Sequence, residues 1–140
     1  MIYTNSDGGA RGNPGPGAIG VIVRDEGKIL VKFSSMVGSF VTNNIAEYEG
    51  LIKALQLAKK HGKEVTCILD SELVVNQLLG KYKVRNPRLL ELFLKVQKEQ
   101  EKFDIVKYKC VSREDKFQQI ADELLNCELE KHGFKKKTFR

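Results

Sequence analysis

"EVTCILDSELVVNQLLG", residues 64–80, decides the fold. Residues 64–70 form a short apolar run that ends on an acid, Asp70. An apolar run without clear alternation suits a strand buried on both faces, as parallel sheets require. The following "SELVVNQLLG" reads as a short helix closed by Gly80. A buried strand passing straight into a helix is half of a crossover unit.

Toward the N-terminus the pattern differs. "MIYTNS" is a first strand ending near Asp7. "AIGVIVRD" and "KILVKFSSMVGSF" are rich in β-branched residues and are separated by the turn "EG", which predicts a three-stranded antiparallel meander. Between the first two strands lies "NSDGGARGNPGPGAIG", residues 5–20, dense in glycine and proline. From Asn44 to His61 the apolar residues Tyr48, Leu51, Ile52, Leu55 and Ala58 recur at helical spacing, with Gly62 as a stop.

Toward the C-terminus, "NPRLLELFLKVQKEQEKF" opens with an Asn-Pro helix-start signal. "DIVKYKCV" alternates as a half-buried strand. The polar segment "SREDKFQQ" leads into a last helix expected over about 120–131. The predicted order is β-β-β-α-β-α-α-β-α. It implies an α/β fold with a five-stranded mixed sheet, three antiparallel strands then parallel crossovers, and helices on both faces. We expect one domain over 1–131 and a basic, disordered tail over 132–140.

A chain of 140 residues with 41% apolar and 30% charged residues fits one globular domain. No apolar run approaches the ~18–20 residues that span a bilayer, and "MIYTNSDGG" lacks the features of a signal peptide. The expectation is a cytoplasmic monomer with no membrane or protein partner. Cys67, Cys110 and Cys127 have mostly apolar neighbours and no metal-ligand spacing, and read as reduced core cysteines. Residues 1–80 balance their charges, so the net +6 comes from 81–140. It concentrates in "KYKVR", with Arg88 nearby, and in the last ten residues. Basic clusters beside aromatics suit a polyanion, although such runs are commonly plain solvated surface.

The acids are placed more tellingly than the bases. Asp7 and Asp70 end strands one and four; Glu47 lies in the first turn of the first long helix; Asp122 lies near the start of the last. In open α/β sheets ligands bind beyond the carboxyl ends of strands where the strand order reverses. If strands one and four are parallel neighbours, Asp7 and Asp70 meet there. Two ionised carboxylates about 5 Å apart repel by roughly 3 kcal/mol at an effective dielectric near 20. Such a cluster shares protons or binds cations, and hard oxygen ligands suit magnesium or manganese. Two ions ~3.5–4 Å apart support in-line phosphoryl displacement. Each acid also has a structural reading. Asp7 suits a turn before Gly-Gly, Asn44-x-x-Glu47 fits a capping box, and Asp70 fits a helix cap. Asp115 competes with Asp122. No Gly-Lys-Ser/Thr follows the glycines, which excludes a P-loop.

"DGGARGNPGPGAIGVIV", "TNNIAEYEGLIKAL", "LDSELVVNQLLGKYKVRNPRL" and "VSRE…ADEL" together resemble the ribonuclease H type 1 family, in order, over about residues 1–129. The resemblance implies a ribonuclease-H-like fold and endonucleolytic hydrolysis of the RNA strand of RNA–DNA hybrids, leaving 5′-phosphate and 3′-hydroxyl ends. It implies two Mg2+ ions, with Mn2+ as a substitute, on Asp7, Glu47, Asp70 and Asp122. It also implies substrate contacts at Gly8, Asn13, Thr42, Asn43, Asn44, Ser71, Glu72 and Arg113. Within that set, Asn13, Asn43 and Asn44 would read the 2′-hydroxyl, and Thr42 would help to seat a DNA phosphate. Glu72 stands where many relatives have glutamine. Many relatives also carry a histidine in the last loop; this chain has none there, and Arg113 stands where other relatives have an arginine. There is no tryptophan to meet DNA sugars, which leaves Tyr82 in "GKYKVRNPR" as a stand-in. The rival readings are a related nuclease on the same fold and a non-catalytic nucleic-acid-binding module. Clustered acids near phosphates would only weaken a mere binder.

Overall fold

A computed structural model describes residues 1–135. Nine elements follow in chain order: β1 (Ile2–Ala10), β2 (Gly15–Asp25), β3 (Lys28–Val41), α1 (Asn43–Ala58), β4 (Glu64–Leu69), α2 (Glu72–Leu78), α3 (Pro87–Gln100), β5 (Ile105–Cys110) and α4 (Lys116–Lys131). The sheet order is β3-β2-β1-β4-β5. β1–β2 and β2–β3 are antiparallel; β1–β4 and β4–β5 are parallel. The strand order therefore reverses between β1 and β4. This is the mixed sheet that the 64–80 stretch predicts.

Alternation along β2 explains why both faces are covered. Ile19 and Val21 pack with Ala54 of α1, and Val23 joins the large core of α1, α3 and β4. Ala18 packs with Leu125 and Leu129 of α4 on the opposite face. Gly20 shares that second face. A Cβ there would lie 2.0 Å from the Ala121 carbonyl oxygen, so only glycine lets α4 settle this close.

Four boundaries differ from expectation. β1 runs on to Ala10, through Asp7, because its pairing with β2 continues to Ala10↔Gly17. α1 is capped by Thr42, whose hydroxyl accepts from the Ile45 amide. α2 is capped by Ser71, which accepts from the Val74 amide. The expected caps at Asn44 and Asp70 are therefore displaced. α4 begins at Lys116, some four residues before the expected start, because Asp115 accepts from the Phe117 and Gln118 amides and caps it. The polar "KFQQ" concealed that first turn.

Two of the three cysteines are also not core residues. Cys67 is buried, but Cys110 and Cys127 are exposed, on an edge strand and an outer helix face. Among the described residues no helix is long and apolar enough to cross a membrane. Of the expected tail, residues 136–140 lie outside the described ones. Phe134 is held, with its amide donating to the Leu129 carbonyl at 2.8 Å.

Candidate metal centre and substrate face

The centre is built on β1. Its residues Thr4, Asn5, Ser6 and Asp7 are polar yet buried in the middle of the sheet. Pairing with β4 ends at Asn5↔Ile68, with a constant offset that sets Asp7 level with Asp70 beyond the ladder. Glu47 arrives from α1. A Cβ on Gly8 would lie 2.2 Å from the Ala46 carbonyl, so the missing side chain allows α1 to rest on the strand. The Gly8 amide then donates to Asp7 Oδ1 at 2.9 Å and to Glu47 Oε1 at 3.3 Å. The glycines here serve packing of the chain upon itself.

One carboxylate oxygen from each of Asp7, Glu47 and Asp70 lies within 4.8 Å of the others. Burial pushes Asp7 up from 3.8 to about 7, with the charges of Asp70 and Asp122 adding to the rise. Burial, and then the Asp7 charge, raise Glu47 well above its ordinary value. Asp70 is raised by burial, which the nearby Arg113 cation partly offsets. Asp122 is exposed on α4 but close enough to act on both aspartates. Asp7, Glu47 and Asp70 thus meet in one place, with Asp122 of α4 near enough to act on the two aspartates. Asp115 is occupied as the α4 cap.

These residues suit a divalent cation. Glu47 Oε2 is buried without a hydrogen-bond partner. Among the described residues no ion pair reaches any of the four acids. Buried oxygen donors of one charge, one of them orphaned, match the chemistry of Mg2+ or Mn2+ sites.

Beside the acids lies a face of amides. Asn13 Oδ1 accepts from the Asn43 amide, and Asn43 Oδ1 accepts from the Ala10 amide, both at 2.9 Å. Each carboxamide oxygen thereby accepts one hydrogen bond, which sets the opposite, donating NH2 of each side chain apart for other partners. Asn13 and Asn43 are exposed and Asn44 is half-buried beside them. Gly8 lies beneath, between Asp7 and Glu47. Thr42 and Ser71 are helix caps, and Glu72 and Arg113 are exposed at the rim. Tyr82 is exposed in the loop before α3, flanked by Lys81 and Lys83.

The chain matches the sequence profile of a family described as Reverse transcriptase-like over residues 5–126. LC11-RNase H1, solved in complex with an RNA/DNA hybrid, is 39% identical, with a TM-score of 0.88 over 94% of this chain and 99% of that one. This chain belongs to the ribonuclease H type 1 family. The RNase H1 of Halobacterium salinarum is 30% identical with a TM-score of 0.87, covering 93% of this chain and 98% of that one. The bifunctional protein Rv2228c of Mycobacterium tuberculosis is 40% identical over 115 residues, which is 80% of this chain and 31% of that protein. The chain thus spans about a third of the length of that curated relative.

Reading from sequence missed what supports this ribonuclease H centre. Asn5 donates to Gln118 Oε1 at 3.2 Å, and Gln118 Nε2 donates to the Ser6 carbonyl at 2.8 Å. Arg24 donates to Asn5 Oδ1 at 3.0 Å and stacks 4.0 Å from the centre of the Phe117 ring. This buried network pins the first turn of α4 to β1 beside Asp7. The one signal was a polar run, "TNSD", in a strand otherwise suited to the core.

Proposed function

We propose that residues 1–131 form a catalytic unit that hydrolyses the RNA strand of RNA–DNA hybrids endonucleolytically. The carrying observation is the convergence of Asp7, Glu47 and Asp70 within 4.8 Å, near the exposed asparagines Asn13 and Asn43. Asp7, Glu47 and Asp70, with Asp122 beside them, would hold two divalent cations. The two divalent ions, when bound, supply Lewis-acid polarisation of the phosphate and activation of water.

The chain's own groups do the rest. Asn13 and Asn43 donate to the 2′-hydroxyl oxygen or a neighbouring acceptor of the RNA strand, a contact that DNA cannot supply at the 2′ position. Asn44, Gly8, Ser71 and Glu72 border the same groove, and Thr42 seats a phosphate of the DNA strand. Arg113 places a fixed cation beside Asp70, where charge develops on the scissile phosphate. Water adds to phosphorus in line with the departing O3′. The P–O3′ bond breaks, leaving 5′-phosphate and 3′-hydroxyl ends. Magnesium is the expected ion, and manganese a substitute.

The test is hybrid cleavage with 5′-labelled RNA, read with Mg2+, with chelator, and with Asp70→Asn in Mg2+. The reading expects internal cuts only for the wild-type chain with metal. Cleavage that survives chelation, or wild-type rates for Asp70→Asn, contradicts it.

A further inference from the structure

The loop between β1 and β2 exposes Gly12, Asn13 and Pro14, yet it is fastened on two sides. Toward α1 it is held by the Asn13–Asn43 and Asn43–Ala10 hydrogen bonds. Toward α4 it is held, among the described residues, by the side chain of Arg11. The Arg11 amide closes the loop's base on the Pro16 carbonyl at 2.8 Å. Its guanidinium donates from Nη2 to Asn126 Oδ1 at 2.8 Å and from Nε to the Phe134 carbonyl at 3.2 Å.

Both acceptors are themselves fixed. Asn126 Nδ2 donates back to the Asp122 carbonyl at 2.9 Å. Phe134 follows Gly133, whose φ of 90° turns the chain off the end of α4, and its amide is bonded to Leu129. Among the described residues no carboxylate pairs with Arg11. The cation is used as a fork of two directed donors, a geometry that lysine cannot reproduce.

We infer that Arg11 is a positioning residue: by fastening the loop to the helix that carries Asp122, it holds Asn13 in its substrate-reading position without touching substrate. The inference rests on the hybrid reading for the identity of the substrate. A loop with few apolar contacts opens at little cost. Substrate that needs the closed form then binds in proportion to the fraction closed. Releasing the latch raises KM and leaves the acids, and so kcat, in place.

The experiment compares Arg11→Ala, Arg11→Lys and Asn126→Ala with the wild-type chain. It reads hydrogen exchange at the Ala10, Arg11 and Asn43 amides together with KM and kcat on hybrid. If the loop falls to a tenth closed, Arg11→Ala loses nearly all exchange protection there and raises KM about tenfold, with kcat within about twofold. Asn126→Ala moves the same way, and Arg11→Lys restores only part. In an Asn13→Ala background, Arg11→Ala changes KM little further, because both act through one contact. Unchanged loop exchange overturns the inference, as do effects of Arg11→Ala and Asn13→Ala that multiply. If Arg11→Ala fails to fold, Asn126→Ala breaks the latch from the α4 side and is judged by the same criteria. A wild-type chain that leaves hybrid intact contradicts the proposed function instead, and the exchange rates still decide whether the latch exists.

Discussion

Asp7 lies level with Asp70 across the mouth of the β1–β4 ladder, just beyond the last paired residues, Asn5 and Ile68. Both carboxylates therefore lie where the strand order reverses, with Glu47 in the same cluster and Asp122 near enough to act on them. The consequences are physical and can be measured.

Without metal, stability should fall as pH rises. Asp7 has its folded-state pKa raised from 3.8 to about 7, and Glu47 and Asp70 are also raised. A raised acid binds its proton more tightly in the folded state. Stability is therefore full below the ordinary carboxylate range and declines as pH climbs from about 4 to about 7. At roughly 1.4 kcal/mol per pKa unit the decline is on the order of a few kcal/mol. Melting in chelator from pH 5 to pH 8 measures it. Mg2+ should flatten the curve at the high end.

Asp70→Asn should abolish hybrid cleavage while the metal-free chain melts at the same temperature or higher at pH 8. Removing one charge relieves the repulsion among the remaining acids. A drop in metal-free melting temperature would show that Asp70 serves the fold through contacts of its own.

The two acids at the start of α4, Asp115 as its cap and Asp122 within it, should separate cleanly. Asp122→Asn lowers the rate with little change in stability, since Asp122 is exposed. Asp115→Ala costs about 1 kcal/mol through loss of the α4 cap and spares the rate per folded molecule. Asp115→Asn keeps the cap and both properties. Paired melting and rate measurements on the three variants decide it.

Gln118→Leu should destabilise by about 1–3 kcal/mol, because Asn5 and the Ser6 carbonyl lose partners in a buried place. Cleavage should fall further than stability explains, since the start of α4 carries Asp122. Equal activity per folded molecule would detach this network from the site.

Much of this was legible in the sequence, and for definite reasons. The period change after residue 44 and the apolar run before Asp70 dictated the mixed sheet, because burial on two faces leaves no other pattern. Asp7, Glu47 and Asp70 were legible because acids just past the β1–β4 pairing and at a helix start meet where the strand order reverses, even though β1 itself runs on past Asp7 to Ala10. What escaped depends on partners distant in the chain. Gln118 looks like surface until Asn5 and Ser6 are beside it. Arg11 looks like a loop cation until Asn126 and Phe134 turn toward it. Gly8 and Gly20 are explained only by the helices that lie against them. The α4 start was hidden because the residue that its first turn buries, Gln118, is polar rather than apolar.

The central claim is that this centre cuts RNA only where RNA is paired with DNA, and only with a divalent cation. The direct measurement is cleavage of labelled RNA–DNA hybrid, double-stranded RNA and double-stranded DNA of one sequence, each with Mg2+, Mn2+ or chelator. Cuts are expected in the RNA of the hybrid with either metal and none elsewhere; cleavage of duplex DNA, or hybrid cleavage in chelator, contradicts a metal-dependent, hybrid-specific nuclease.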